Sequence, residues 1–310
     1  MTRILITGAA GAVGRALLAE FAGNRGHEVI ATDLTAPAHL PDHIQFCPLD
    51  VRGMDPDTVI KTHRPEVVIH LASIVGHTTR EFAYSVDVTG SQNVINACLK
   101  YGVRRLVVTS SGAAYGYHPD NPEWLKETDA LRGNVEFAYA DHKRQVEEML
   151  AQTRKDHPAL EQVVLRVGTV LGAGLENQIT ALFHKPRLLA LMGSDSPFVF
   201  IWTRDLARIL HRAATDGPAG IFNVAGDGAL GISDLAERMG KPVLRLPPAL
   251  LKLALAVAKP LKLSRYGPEQ VRFLQYRPVL DNTALKSEFG YLPELSSAET
   301  FDLWRKAAGL

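Results

Sequence analysis

Tyr139 and Lys143 stand four residues apart in Tyr139-Ala140-Asp141-His142-Lys143, a spacing that puts both on one face of a helix. A tyrosine titrating near pH ~10 is a poor base at neutral pH. An ammonium beside it stabilises the phenolate, so the pair could move a proton to or from an alcohol oxygen. Tyrosine and lysine meet at this spacing often by chance, and the pair needs company. Val107-Val108-Thr109-Ser110-Ser111-Gly112 supplies it, an apolar run ending in a cluster of hydroxyls. Ser111 could hold a substrate oxygen against Tyr139. The plainer alternative is a polar strand end satisfying backbone groups.

A phosphate-binding turn stands near the amino terminus. Thr7-Gly8-Ala9-Ala10-Gly11-Ala12-Val13-Gly14 follows the apolar run Ile4–Thr7 and precedes a helical pattern. Gly8 permits the tight turn, Gly11 lets a pyrophosphate approach the backbone, and Gly14 lets the helix pack closely. The helix amino terminus then offers free N–H groups and a positive dipole end to phosphates. Asp33 closes the next strand, where a carboxylate accepts from the adenosine ribose hydroxyls and repels a 2′-phosphate. Leu34, Thr35 and Ala36 bring no arginine. The cofactor expected is NAD rather than NADP. Tyr139 would then take a proton from a substrate hydroxyl while hydride leaves the same carbon for the nicotinamide.

These residues need a scaffold, and the sequence describes one. Ile4–Thr7, Glu28–Thr32, Ile44–Pro48, Val67–Leu71, Leu106–Thr109 and Val163–Arg166 read as buried strands. Amphipathic stretches at 12–23, 80–100 and 137–153 lie between them. That alternation predicts an α/β fold, a doubly wound parallel sheet with helices on both faces. Its ligand crevice lies at the carboxyl ends of the strands, where every motif above falls. After Arg166, proline and glycine become frequent. Residues 1–166 read as the cofactor domain, with 200–226 returning to it as a helix (Phe200–Ala214) and a strand (Ile221–Ala225). Residues 167–310 read mainly as a smaller, mixed substrate lobe.

The remaining signals mostly exclude. Thirty-four basic residues meet 33 acidic ones, so the total charge offers no footprint for nucleic acid or an anionic membrane. Cys47 and Cys98 lack metal or disulfide spacing, and the histidines form no ligand set. His77 could line the pocket or be a polar loop position. No room for a signal peptide precedes the glycine turn, which predicts a cytoplasmic protein. Residues 247–263, PPALLKLALAVAKPLKL, are apolar but shorter than the ~20 residues of a membrane span. They could be a buried helix, a lid over a greasy substrate, or a patch touching a membrane surface. Their composition argues for burial, and the reading favoured is a hydrophobic wall of the substrate pocket.

Together these motifs resemble the extended branch of the short-chain dehydrogenase/reductase superfamily, the NAD-dependent epimerase/dehydratase family, whose sheet is a Rossmann fold. The turn is similar to TGxxGxxG, Tyr139 and Lys143 to YxxxK, and Ser111 falls at the catalytic Ser/Thr. The resemblance places Ala10, Ala12, Val13, Thr109 and Gly168 beside the cofactor as well. Asp50-Val51 looks like the pair flanking adenine, and Leu71-Ala72-Ser73, after His70, like the stretch beside the cofactor. Asp87 replaces the usual asparagine and inherits no role.

Departures narrow the branch. Dehydratases carry an Asp-Glu pair after the Ser/Thr, where this chain has Gly112 and Ala113. Nucleotide-sugar members often have an asparagine at the place of Thr169, and their arginine clamp is only loosely suggested by Arg272. Three readings remain: a dehydrogenase acting on a secondary alcohol or ketone, a nucleotide-sugar epimerase that retains its NAD, and a non-catalytic cofactor sensor. The first is favoured, and relatives that lost catalysis typically lack the tyrosine–lysine pair. Similar enzymes dimerise through the helices corresponding to 80–100 and 137–153. Val94, Cys98, Val146 and Leu150 are the apolar stripes expected at such a homodimer interface, unless they pack on the sheet.

Overall fold

Strand and helix alternate through the first half of the chain: β1 (Thr2–Thr7), α1 (Ala12–Ala22), β2 (His27–Asp33), β3 (Gln45–Pro48), α2 (Asp55–His63), β4 (Val67–His70), α3 (Arg80–Tyr84), α4 (Gly90–Tyr101), β5 (Arg105–Ser111), α5 (Ala138–Asp156) and β6 (Glu161–Val167). The second half follows with β7 (Thr169–Leu171), α6 (Gln178–Phe183), β8 (Leu188–Leu191), β9 (Phe200–Trp202), α7 (Thr203–Ala214), β10 (Gly220–Val224), α8 (Ile232–Met239), β11 (Val243–Leu246), α9 (Pro248–Ala258), α10 (Gln270–Gln275), α11 (Thr283–Ser287) and α12 (Ser297–Ala307). This computed structural model describes residues 1–23, 26–76, 78–264 and 266–310.

Seven strands form one parallel sheet in the order β10-β6-β5-β4-β1-β2-β3. The order reverses between β1 and β4, which opens a crevice at their carboxyl ends. Ile4, Leu5, Ile6, Val67, Val68, Ile69, Leu106 and Val107 are buried, because a parallel sheet is covered on both faces. On one face lie Leu17 and Phe21 of α1 with Ile209 and Leu210 of α7, joined by Leu285 and Phe289 from far along the chain. On the other lie Ile60, Val94, Cys98, Val146 and Leu150. Those last four are the residues expected at a dimer interface. They pack on the sheet instead, since α4 and α5 must supply its second cover.

Three further differences have local causes. Phe200–Trp202 forms β9 beside β7, and α7 starts only after the extended Trp202. The stretch 80–100 is not one regular helix: a π-helical turn, Ser85–Thr89, separates α3 from α4. Phe183, Phe198, Phe200, Phe301 and Trp304 form a separate hydrophobic cluster, next to the two-stranded sheet β8–β11. None of α9 enters a core. No residue of that helix is buried, and Leu253 is 64% exposed. Apolar composition predicted cover that the rest of the chain does not provide.

Candidate active site

Backbone geometry explains each glycine of the first turn. Gly8 has φ +71°, and a Cβ there would lie 2.6 Å from the Ala72 nitrogen. At Gly14 it would lie 2.4 Å from the Gly8 oxygen. Gly11 precedes α1 without a side-chain cap, so the first-turn N–H groups are left for a ligand, the donor set a diphosphate takes. Asp33 ends β2 and is tied to this turn: Oδ2 accepts from Ala10 N–H at 2.9 Å and Oδ1 from Leu34 N–H at 2.7 Å. A cradle that any side chain would fill, uncapped helix donors and a carboxylate at the next strand end together fit NAD.

Around this turn the strand ends interlock. Leu71 N–H donates to the Thr7 carbonyl at 3.1 Å, and the Thr7 hydroxyl meets His70 Nδ1 at 2.7 Å. Asp50 grips Arg52 with both carboxylate oxygens, at 2.6 to 3.0 Å. This bond holds its carboxyl below the usual range. Val51 beside it is buried against Gly90, where a Cβ would lie 2.6 Å from the valine methyl.

Lys143 and Tyr139 meet at the carboxyl end of β5. The buried Lys143 ammonium donates to the Thr109 carbonyl at 2.9 Å and stands 5.6 Å from the centre of the Tyr139 ring. Ser111 begins a 3₁₀ turn, Gly112–Tyr115, and its hydroxyl oxygen accepts from Ala113 N–H at 3.2 Å. Tyr139 packs with Ala113 and Tyr117 of the segment after Ser111, in a cluster that also holds Phe137, Phe273 and Tyr276. The fold thus brings the three candidates to one corner.

The outer candidates are more scattered. Gly168 follows β6 and donates to the Val224 carbonyl at 2.9 Å. Thr169 opens β7, its N–H bonded to the Val199 carbonyl at 3.0 Å. Arg272, on α10, is exposed and pairs with Glu136 at 3.0 Å, just before the tyrosine helix. His77 lies outside the described residues. Among those residues no group of three His, Cys, Asp or Glu is placed to hold a metal.

Two buried networks escaped the sequence. In the first, Asp87 in the π turn accepts from Ser73 at 2.9 Å and Ile74 N–H at 2.8 Å, and meets His142 Nδ1 at 3.3 Å. Burial opposes its charge, but these bonds and the Lys143 ammonium hold the carboxyl below its ordinary range. Widened turns of this kind recur where a helix must aim a side chain at a site. His70 meets Ser91 at 2.9 Å, and burial, then the Lys143 charge, pushes it down to about 3. It stays neutral at neutral pH. In the second network, Arg166 pairs with Glu147 at 2.7 Å and donates to the Tyr115 hydroxyl at 2.8 Å. That hydroxyl donates to Asn223 at 2.9 Å, tying β6, α5 and β10 beneath the site. A signal existed: Tyr139, Lys143 and Glu147 repeat every four residues along one face of α5.

Residues 4–225 match the NAD dependent epimerase/dehydratase family, and the chain belongs to it. It is therefore an NAD-dependent enzyme of the extended short-chain dehydrogenase type. It is 26% identical over 317 residues to an uncharacterised protein of Mycobacterium tuberculosis, spanning 99% of this chain and 84% of that one. It is 25% identical over 288 residues to a 3β-hydroxysteroid-dehydrogenase/decarboxylase, isoform 2, of Arabidopsis thaliana, spanning 81% of this chain and 49% of the relative. Among solved structures, Thermus thermophilus UDP-glucose 4-epimerase in complex with NAD superposes with TM-score 0.76 at 23% identity, over 99% of this chain and 98% of that one.

Proposed function

We propose that this enzyme interconverts a secondary alcohol and its ketone with NAD(H), Tyr139 moving the proton. The observation that carries the reading is the buried Lys143 ammonium, fixed to Thr109 beside the Tyr139 ring. In the oxidising direction Tyr139 accepts the hydroxyl proton; in the reverse direction it donates one to the carbonyl oxygen. Lys143 keeps a positive charge beside the phenolate. Ser111 already accepts from Ala113, so its own O–H is available to a substrate oxygen. Bound NAD supplies the hydride acceptor, and NADH the donor. The Gly8–Gly14 turn would hold the diphosphate and Asp33 the ribose; Asp50, Val51, Leu71, Ala72, Ser73, Thr109 and Gly168 would surround the rest.

The substrate we propose is less polar than a nucleotide sugar. Aromatic side chains (Tyr117, Phe137, Phe273 and Tyr276) crowd Tyr139, and Arg272 is engaged by Glu136. The steroid-oxidising relative fits that preference. The superposition on a UDP-glucose 4-epimerase favours the second reading, in which the oxidised intermediate is retained and reduced from its other face. A panel of hydroxysteroids, free sugars and UDP-sugars, followed by NADH absorbance and product analysis, separates the two. Net NADH formation with an apolar alcohol supports the dehydrogenase. Sugar inversion without net NADH establishes the epimerase. We further propose a cytoplasmic homodimer with Phe82 and Tyr84 of α3, both exposed, at its interface. A mass in sedimentation that stays monomeric at every concentration contradicts it.

A further inference from the structure

We infer that α9 and the residues after it form an interfacial anchor that docks this enzyme on an anionic lipid bilayer. Leu250, Leu253, Val257 and Leu261 recur at helical spacing, and all are more than half exposed, as is Leu263. Leu251, Leu255 and Ala258 alternate with them and are half-buried, and α9 contacts α10. The outer side chains of α9 and of the turn after it are therefore apolar and uncovered by the described residues, a surface that soluble proteins rarely leave open.

Charge identifies the occupant. From Lys241 to Pro268 the sequence holds six basic residues and no acid, whereas the other 282 residues hold 28 basic and 33 acidic ones. Lys252 and Lys259 sit seven residues apart on one flank of the stripe, and Lys262 follows the helix. Lys259 is shared with Glu269 at 3.1 Å. An apolar stripe edged by lysines is the pattern of a helix lying in the headgroup plane, its leucines among the acyl chains and its ammoniums on anionic headgroups. A second copy of the same face would bring lysines against lysines. No helix of the described residues is long and apolar enough to cross a membrane, so this contact is peripheral. Docking here also places the site well. Helix α10, which contacts α9, carries Phe273 into the aromatic cluster around Tyr139, so an apolar alcohol dissolved in the bilayer would have a short route to the catalytic corner.

The docking surface stands on its own observations, and its test needs no turnover. The full chain is floated with vesicles of phosphatidylcholine alone and of phosphatidylcholine mixed equally with phosphatidylglycerol, and NAD binding is measured in parallel. Wild type should float with the mixed vesicles, less so as salt rises, and poorly with phosphatidylcholine alone. Leu253→Glu/Val257→Glu should lower partitioning by about tenfold or more. Lys252→Glu/Lys262→Glu should lower it by about fivefold per charge replaced, with NAD affinity unchanged in both. The inference is overturned if wild type ignores the mixed vesicles, or if it floats and neither variant weakens binding. It is equally overturned if the stripe mediates only self-association, seen as a concentration-dependent mass lost in Leu253→Glu/Val257→Glu without vesicle binding.

Discussion

Helices α5 and α9 invert the usual link between composition and burial. The first reads Ala-Tyr-Ala-Asp-His-Lys-Arg-Gln-Val-Glu-Glu, yet Asp141, His142, Lys143 and Glu147 are all buried. The second reads Pro-Ala-Leu-Leu-Lys-Leu-Ala-Leu-Ala-Val-Ala and has no fully buried residue. Partners account for the difference. These four buried groups of α5 have counterparts on other elements: Asp141 with Arg80, His142 with Asp87, Lys143 with the Thr109 carbonyl, and Glu147 with Arg166. Paired in this way, polar groups tolerate desolvation. The outer leucines of α9 meet no such complement. A catalytic helix is thus held by charge pairing inside the molecule, and a docking helix is left for a surface outside it.

The contrast can be broken at either helix. The largest stability effect expected is at Glu147. Replacing it with alanine leaves the Arg166 guanidinium buried without its carboxylate, which should cost about 3–5 kcal/mol in denaturant unfolding. Little change would show the pair to be solvated. Next comes His70, whose folded form resists protonation down to about pH 3 while the unfolded chain takes up a proton near pH ~6.5. Its contribution is complete above that pH and is lost as pH falls towards 3, on the order of 3–5 kcal/mol. Thermal melts should fall through this window, and less steeply in His70→Gln. Asp33→Ala should narrow the preference for NAD over NADP by about tenfold, measured as the ratio of dissociation constants. A wild type that binds NADP more tightly contradicts the role given to Asp33. The smallest effect belongs to α9. Leu253→Ser/Val257→Ser should alter stability by less than about 0.5–1 kcal/mol, because both side chains already face solvent. A loss of several kcal/mol would show that these residues are core after all.

How far the sequence could be read follows the same division. The glycine turn was legible because close approach at Gly8 and Gly14 leaves no residue but glycine. The sheet was legible because strands buried on both faces need unbroken runs such as Val67-Val68-Ile69. Asp87 was not, since a π turn and an α-helix share one residue pattern and only the widened turn brings that carboxylate to Ser73 and His142. Nor was the Glu147–Arg166 pair, because the four-residue repeat places Glu147 on the face of Lys143 without naming its partner on β6. The stripes of α4 and α5 were visible, but periodicity records only that a face is covered, and here the sheet covers it. On α9 composition demanded a cover without saying whether it belongs to this chain.

The most direct test of the account is Tyr139→Phe, which keeps the ring against Ala113 and Tyr117 and removes only the oxygen that moves the proton. With the alcohol that gives the fastest NADH formation, turnover of this variant should fall about 10²-fold or more, with the NAD dissociation constant and the melting temperature essentially unchanged. A purified variant that binds NAD and turns over at the wild-type rate would contradict the account.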